Sequence, residues 1–150
     1  MNTTMNPAPN LTQRPPRSPR VRLGGYAQLP RLLDKARAEL LGKNGEYHYN
    51  CPLDQRFLEF TGLDADALKK VAAQSDTEVL AWVSAHAKPK RTDAEIIAWS
   101  CWLEKRVPSD PDSREFFNGI HKTVGAQRED IATWFDLLDM DDFVTFGGKA

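Results

Sequence analysis

Apolar residues recur at helical spacing along most of the chain, and glycine or proline separates one run from the next. The first run ends before Gly42. Its apolar members are Leu29, Leu32, Leu33, Ala36 and Leu40. Spacings of three and four residues place such side chains on one face of a helix. A second helix is predicted from Pro52 to Gly62, and a third is predicted over residues 65–74.

Four further helices are predicted, three of them from their start signals. Ser75 and Thr92 each precede a glutamate by three residues, and in such a capping box the hydroxyl and the carboxylate satisfy free backbone N–H groups. Asp110 followed by proline marks another start. Apolar spacing predicts the last helix over residues 128–139, and residues 143–146 are expected to form a short extended tail. The sequence therefore predicts an all-α fold, a compact single-domain bundle of about seven short helices.

Residues 1–19 differ from the rest of the chain. They are rich in Pro, Asn, Thr and Arg and hold almost nothing apolar, so they cannot bury enough surface to offset the entropy of ordering. We expect a disordered, basic, proline-rich arm over residues 1–19 and a single helical domain over residues 20–150. The arm makes nucleic-acid binding the weakest functional interpretation, because it has no interleaved aromatic residue and the body behind it is acidic.

The stretch from Gly45 to Gly62 holds the densest set of chemically capable side chains. The candidate site residues are Tyr47, His48, Tyr49, Asn50, Cys51, Asp54, Gln55 and Arg56. Pro52 fits the first turn of a helix, so Asn50 or Cys51 is predicted to be the cap and Asp54 falls in the first turn. The residues before the cap are expected to be extended. Backbone N–H groups at a helix start favour anions and thiolates.

Two classes of function suit this stretch. In the first, the chain is a binding module whose pocket over residues 47–56 receives a small anionic ligand, while Trp102 or the acidic C-terminal end meets a protein partner. In the second, Cys51 is a catalytic nucleophile with His48 as its proton acceptor, or His48, Cys51 and Asp54 hold a metal. A purely structural alternative makes the tyrosines core plugs and Cys51 a small buried hydrophobe. The chain contains no GxSxG motif, CxxC pair or phosphate loop, which favours the binding module over an enzyme.

Composition says more about the cellular compartment of the protein than about its chemistry. The chain has 150 residues, a formal net charge of −1 and 41% hydrophobic residues, which is enough for one core. No apolar run approaches the ~20 residues that span a bilayer, and no apolar leader follows the N-terminus. We expect a cytoplasmic protein that makes no membrane contact, needs no cofactor and keeps Cys51 and Cys101 as reduced thiols.

Four carboxylates gather at the end of the predicted last helix. They are Asp136, Asp139, Asp141 and Asp142. The helix dipole favours cations at that end, so a bound cation or a basic partner would relieve the repulsion. The spacing lacks the glycine and the distal glutamate of a calcium loop, and no metal site is predicted.

Several long phrases resemble a known family. They are RSPRVRLGGYAQLPRLLDKARAELLGKNGEYHYNCPLDQRFLEFTGLD, DTEVLAWV, AEIIAWSCWLE and DIATWFDLLDMDDFVTFGG. Together they are similar to the bacterial family catalogued as domain of unknown function 5069, over about Ser18 to Gly148. The resemblance implies a small, cytosolic, helical, single-domain protein. It implies no assigned activity and no catalytic residues.

Overall fold

The structure, a computed structural model, describes residues 8–150. In that part of the chain seven helices follow a short hairpin, which confirms the predicted helical fold. The hairpin consists of β1 (Arg22–Leu23) and β2 (Tyr26–Ala27), paired antiparallel with Arg22 opposite Ala27. The helices are α1 (Leu29–Leu40), α2 (Pro52–Thr61), α3 (Ala65–Val71), α4 (Asp76–His86), α5 (Asp93–Glu104), α6 (Pro111–Gly125) and α7 (Trp134–Thr145).

Helix α1 lies at the centre of the fold, and every residue from Leu29 to Ala38 is buried. Its apolar side chains join the main core, which draws on β2, α2, α3, α4, α5 and α7. Large members of this core include Tyr26, Leu32, Leu33, Phe57, Leu68, Trp99, Leu103 and Phe135. Tyr26, Phe57 and Trp99 meet edge to face, a favoured arrangement of aromatic rings. Because α1 is covered on all sides, its polar residues are buried as well.

Helices α6 and α7 pack on each other around a second, smaller core. Its buried members are Phe117, Val124, Ile131, Leu137 and Met140. Phe135 of α7 points instead into the main core. The backbone N–H of Trp134 donates to the carbonyl of Arg106 at 3.0 Å, so the hairpin of α6 and α7 is also tied to the end of α5.

The predicted disordered arm is wrong for residues 8–19, which pack on the helical domain. Leu11 is only 2% exposed, and its backbone N–H donates to the carbonyl of Lys43 at 2.8 Å. Pro16 and Pro19 are buried. Prolines restrict the unfolded chain and so lower the entropy lost on ordering. The rest of the predicted arm, residues 1–7, lies outside the described residues.

The last helix begins and ends later than predicted. Thr133 caps α7, since its side chain accepts from the N–H of Asp136, and Asp136 in return accepts from the N–H of Thr133. This capping box was present in the sequence, but the apolar spacing that starts earlier obscured it. Residues 143–145 therefore belong to the helix and not to an extended tail, and Asp136 lies in the first turn, where the dipole favours it. Among residues 8–150, no helix is long and apolar enough to cross a bilayer.

Candidate functional site

A cluster of buried and half-buried polar side chains lies between α1, the start of α2 and the end of α7. We call it the polar centre, and its members are Gln28, Arg31, Lys35, Tyr47, Cys51, Asp54 and Asp142. Arg31 and Lys35 stand one turn apart on α1, so their side chains extend from the same side of the helix. Both are buried, at 3% exposure each. Buried charges of this kind require partners.

Asp54 supplies the partner for Lys35, and it is fully buried. Lys35 Nζ donates to Asp54 Oδ2 at 2.7 Å, and Gln28 Nε2 donates to Oδ1 at 2.9 Å. The backbone N–H groups of Asn50 and Cys51 also donate to Oδ2, at 3.0 and 3.3 Å. The start of α2 thus positions this carboxylate, since Asp54 is the third residue of the helix and turns back onto its cap. Four donors thus surround the two oxygen atoms of this buried carboxylate.

The neighbour of Cys51 is a lysine and not the predicted histidine. Lys35 Nζ lies 3.1 Å from Cys51 Sγ. Cys51 is half-buried and is the cap residue of α2. His48 is exposed, and among the described residues no hydrogen bond joins it to Cys51. The thiol therefore lies between an ammonium group and the start of a helix.

The second half of the polar centre is built on Arg31. Its guanidinium forms two hydrogen bonds with the carboxylate of Asp142, at 2.7 and 3.3 Å. The hydroxyl of Tyr47 donates to the same carboxylate at 2.7 Å, and Arg31 lies over the Tyr47 ring, 5.5 Å from its centroid. Burial, and after it the bond to Asp142, raises the pKa of Tyr47, so the phenol stays protonated and donates.

Two residues with unfavourable backbone conformations flank Asp54. Gln28 and Asn50 have φ angles of 71° and 68°, in the left-handed region that glycine adopts most easily. In the described part of the chain they are the non-glycine residues with positive φ. Gln28 is also fully buried, and its Oε1 has no hydrogen-bond partner among the described residues. Backbone strain of this kind clusters at functional sites, where surrounding contacts maintain it.

Arg56 lies away from the polar centre, beside an exposed tryptophan. Its guanidinium carbon is 6.0 Å from the centroid of Trp102, and that of Arg106 is 4.8 Å from the same ring. The Trp102 residue is 45% exposed. Among residues 8–150, no carboxylate lies within ion-pair distance of Arg56 or Arg106. We call these three residues the arginine–tryptophan surface. Gln55, next to Arg56, is exposed and donates to the carbonyl of Asn50.

Tyr49 connects helices and does not enter the polar centre. Its hydroxyl donates to the carbonyl of Ala65 at 2.7 Å, and its N–H donates to Glu39 at 3.1 Å. Lys69 lies over the ring, 5.8 Å from its centroid. Burial raises the pKa of Tyr49, and nearby Asp54 adds to the shift. These contacts join α3 to α1 and to the loop before α2.

Two arginines near the N-terminus, Arg17 and Arg20, are paired with carboxylates inside the chain. Arg17 bonds Asp34 at 3.1 Å and Asp76 at 2.8 Å. Arg20 bonds Asp136 and Asp139. Two carboxylates of the acidic cluster are therefore neutralised by an arginine of the same chain. In residues 8–150, no three His, Cys, Asp or Glu side chains are grouped so that they could hold a metal ion.

A family model described as "Domain of unknown function (DUF5069)" matches residues 13–144. The chain belongs to this family. The match spans the arginines that pair with α1, α4 and α7, the whole polar centre and the arginine–tryptophan surface. No curated protein matches the chain.

Within the DUF5069 domain, sequence reasoning named only part of the polar centre. It named Tyr47, Cys51 and Asp54, together with Asn50, whose backbone N–H serves the site. It missed Gln28, Arg31 and Lys35. It named Asp142 only as part of the acidic cluster and not as a residue of the polar centre. The only available signal was that polar residues of α1 lie between apolar positions over a full turn, which is typical of a helix that is covered on every side.

Proposed function

We propose that this DUF5069 protein is a binding module that holds the anionic group of a small ligand at the arginine–tryptophan surface. One observation supports this assignment above the others. Arg56 and Arg106 stand at one exposed indole ring and have no carboxylate partner in the described chain. The more deeply buried arginines, such as Arg31, do have such partners. Two unpaired guanidinium groups on one surface attract an oxyanion.

The indole ring also prepares the two guanidinium groups for binding. A guanidinium stacked on an aromatic ring keeps its N–H edge free, and that edge matches a carboxylate or phosphate in two parallel hydrogen bonds. The ring limits the motion of the side chains before the ligand arrives, which lowers the entropy lost on binding. A ligand with both an oxyanion and a flat apolar group suits this surface best, because Trp102 is 45% exposed.

The polar centre has less to offer an anion than the sequence suggested. Its two cations, Arg31 and Lys35, each already face a carboxylate, Asp142 and Asp54. The positive charge is therefore balanced within the protein before any ligand binds. An anionic ligand would have to compete with these carboxylates, whereas at Arg56 it meets no competing carboxylate of the described chain.

The test is a titration of the intact protein with phenyl phosphate, followed by the indole N–H signal of Trp102 in NMR spectra. We expect saturable shifts centred on Trp102, Arg56 and Arg106. Arg56→Gln removes a charge-assisted hydrogen bond worth about 1.5–3 kcal/mol, so the Kd should rise about ten- to hundredfold. Inorganic phosphate, which has no ring, should bind more weakly than phenyl phosphate.

Arg114→Gln is the matched control for this titration. Arg114 is an exposed arginine that stacks on an aromatic ring elsewhere, 5.2 Å from the centroid of Phe117. Its substitution should leave the titration unchanged. Equal losses in Arg56→Gln and Arg114→Gln would show nonspecific attraction of the anion to any arginine and would contradict the proposal.

An enzyme that uses Cys51 is the second candidate function. The observation in its favour is the 3.1 Å contact between Lys35 Nζ and Cys51 Sγ, since catalytic cysteines are commonly found beside a lysine, arginine or histidine cation. Alkylation by iodoacetamide near pH 6 tests it. Rapid labelling of Cys51 that slows in Lys35→Met would support the enzyme, and slow labelling of both proteins would support the binding module.

Nucleic-acid binding through the basic segment is the weakest candidate. Arg17 and Arg20 already neutralise carboxylates of the chain, so their positive charges are not free to bind a phosphate backbone. A titration with single-stranded DNA should show no salt-sensitive binding.

The proposal also includes a cytoplasmic location for the module, which is supported by the two free thiols Cys51 and Cys101.

A further inference from the structure

The closest approach of a thiol to an amine in the described chain is the contact between Cys51 and Lys35. Sγ and Nζ are 3.1 Å apart. The lysine side chain is 4% exposed and cannot easily turn away into solvent, because Asp54 holds the same Nζ at 2.7 Å. The cysteine is half-buried at the outer side of the polar centre, where a small oxidant has access. Two reactive groups are therefore held in contact by the fold.

We propose that Cys51 and Lys35 become joined by a sulfenamide bond, Sγ–Nζ, when a hydroperoxide oxidises the cysteine. In the first step the sulfur attacks the peroxide. The O–O bond breaks, the thiol becomes a sulfenic acid (Cys–SOH), and hydrogen peroxide is reduced to one water molecule. Sulfur loses two electrons, and the peroxide gains them.

In the second step the lysine nitrogen displaces the hydroxyl group of the sulfenic acid. A sulfenic acid condenses readily with a nearby nitrogen, provided that the nitrogen has a free electron pair. Asp54 Oδ2, 2.7 Å from Nζ, accepts one ammonium proton. A second proton from Nζ leaves with the hydroxyl group as water. The products are Cys–S–NH–Lys, one water molecule and a protonated Asp54, so atoms and charge balance.

The polar centre can accommodate the protonated carboxyl group that this step creates. Three donors besides Lys35 hold Asp54, from Gln28 Nε2 and from the backbone of Asn50 and Cys51. Gln28 Oε1 is fully buried and has no partner among residues 8–150. Gln28 Nε2 contacts Asp54 Oδ1, so if the proton moves from Oδ2 to Oδ1 and the Gln28 amide turns over, Gln28 Oε1 accepts a hydrogen bond from the carboxylic acid form of Asp54. The otherwise unexplained oxygen thus serves the modified state.

Cys101 supplies an internal control. It is exposed, and its nearest hydrogen-bonding neighbour is an arginine, with Arg22 Nη2 at 3.7 Å from Sγ. A guanidinium does not lose its proton in proteins, so it cannot condense with a sulfenic acid. Cys101 should therefore stop at the sulfenic acid or oxidise further, whereas Cys51 should form a bond.

The experiment treats the full-length protein with hydrogen peroxide and digests it after glutamate without reducing agent. Glu39 and Glu46 separate Lys35 from Cys51 in the sequence, so the two residues fall in different peptides. We expect residues 1–39 joined to residues 47–59, with a loss of two hydrogen atoms (about 2 Da) and release by dithiothreitol. Labelling of Cys51 by dimedone, a sulfenic-acid reagent, should fall to background, while Cys101 is labelled.

Lys35→Arg is the decisive variant, because it keeps the positive charge beside Asp54 but cannot condense. It should lose the joined peptide and gain dimedone labelling at Cys51. Equal dimedone labelling of Cys51 in the wild type and Lys35→Arg, or a Cys51–Cys101 disulfide in place of the joined peptide, would overturn the proposal. Arg56→Gln, which tests the proposed binding function, should leave the joined peptide intact, so the two ideas can fail separately.

Discussion

Asp54→Asn is the substitution that best tests whether the polar centre is a buried charge pair. Asparagine has nearly the volume of aspartate, so the packing around the site is kept. The change removes the negative charge that faces Lys35, whose side chain is 4% exposed. The ammonium group would then be a buried charge without a carboxylate counter-ion, since Asp54 is its ion-pair partner in the described chain.

The expected cost follows from the burial of the pair. Removal of one partner of a buried ion pair costs about 3–5 kcal/mol, because the remaining charge is left uncompensated. A domain of this kind is held by about 5–15 kcal/mol in total. With a urea dependence of about 2 kcal/mol per molar for a small protein, the midpoint of unfolding should fall by about 1.5–2.5 M.

Urea unfolding followed by tryptophan fluorescence measures this cost, and the double variant Lys35→Met/Asp54→Asn isolates the pair. Removal of both charges should cost less than the sum of Lys35→Met and Asp54→Asn alone, with a coupling free energy toward the upper end of the usual ~0.5–3 kcal/mol. Asp130→Asn is the matched control, because Asp130 pairs with Arg128 at the surface and is 63% exposed at its side chain. The control should leave the midpoint unchanged.

A shift of the midpoint in Asp54→Asn no larger than that in Asp130→Asn would contradict this prediction. So would a double variant whose loss of stability equals the sum of the losses in Lys35→Met and Asp54→Asn. Either result would mean that the two charges do not depend on each other for their burial, and the polar centre would then be an ordinary solvated contact.

Three further predictions concern other parts of the fold. Leu11→Ala should lower the free energy of unfolding in urea by about 2–5 kcal/mol, as truncation of a buried leucine does. The control Thr12→Ala, at an exposed residue, should change it by almost nothing. Equal unfolding midpoints of the two variants would indicate that this segment is a disordered arm after all. Phe135→Ala, at a fully buried ring, should cost about 3–5 kcal/mol, and a cost below about 1 kcal/mol would contradict its place in the main core. The hydrogen bond from Arg17 lowers the pKa of Asp76, so this pair contributes stability above the ordinary carboxyl pKa of about 3.9. That contribution is lost as pH falls through the lower, folded-state pKa. Asp76→Asn should therefore flatten the acid side of the stability profile, and an unchanged acid slope would refute it.

Local signals made the helices predictable from the sequence. Caps such as Ser75 and Thr92, and the glycine that ends α2 with a φ of 67°, act within a few residues. The arm was misjudged because its stabilising contacts are remote in sequence. Leu11 meets the carbonyl of Lys43, and composition alone contains no record of such a contact.

The same distinction explains the site. Cys51 and Asp54 were predicted as site residues because a helix start concentrates backbone donors there. Lys35 was not among the predicted site residues, because only the packing of other elements over α1 buries it. His48 was the proposed partner of Cys51 because it is near in sequence, yet the loop turns it to the surface. Partnerships between side chains on different elements require the tertiary fold.

The interface between the hairpin of α6 and α7 and the rest of the molecule has a consequence for partial unfolding. Apart from the packing of Phe135, the described contacts across this interface are largely polar. They are the ion pairs of Arg20 with Asp136 and Asp139, and of Arg31 with Asp142. The hairpin has its own small core, so it can separate as a cooperative unit before global unfolding. Amide hydrogens of α6 should then exchange through a partial opening that salt accelerates, since ions screen the half-exposed pairs of Arg20. Those of α1 should exchange only when the whole domain unfolds.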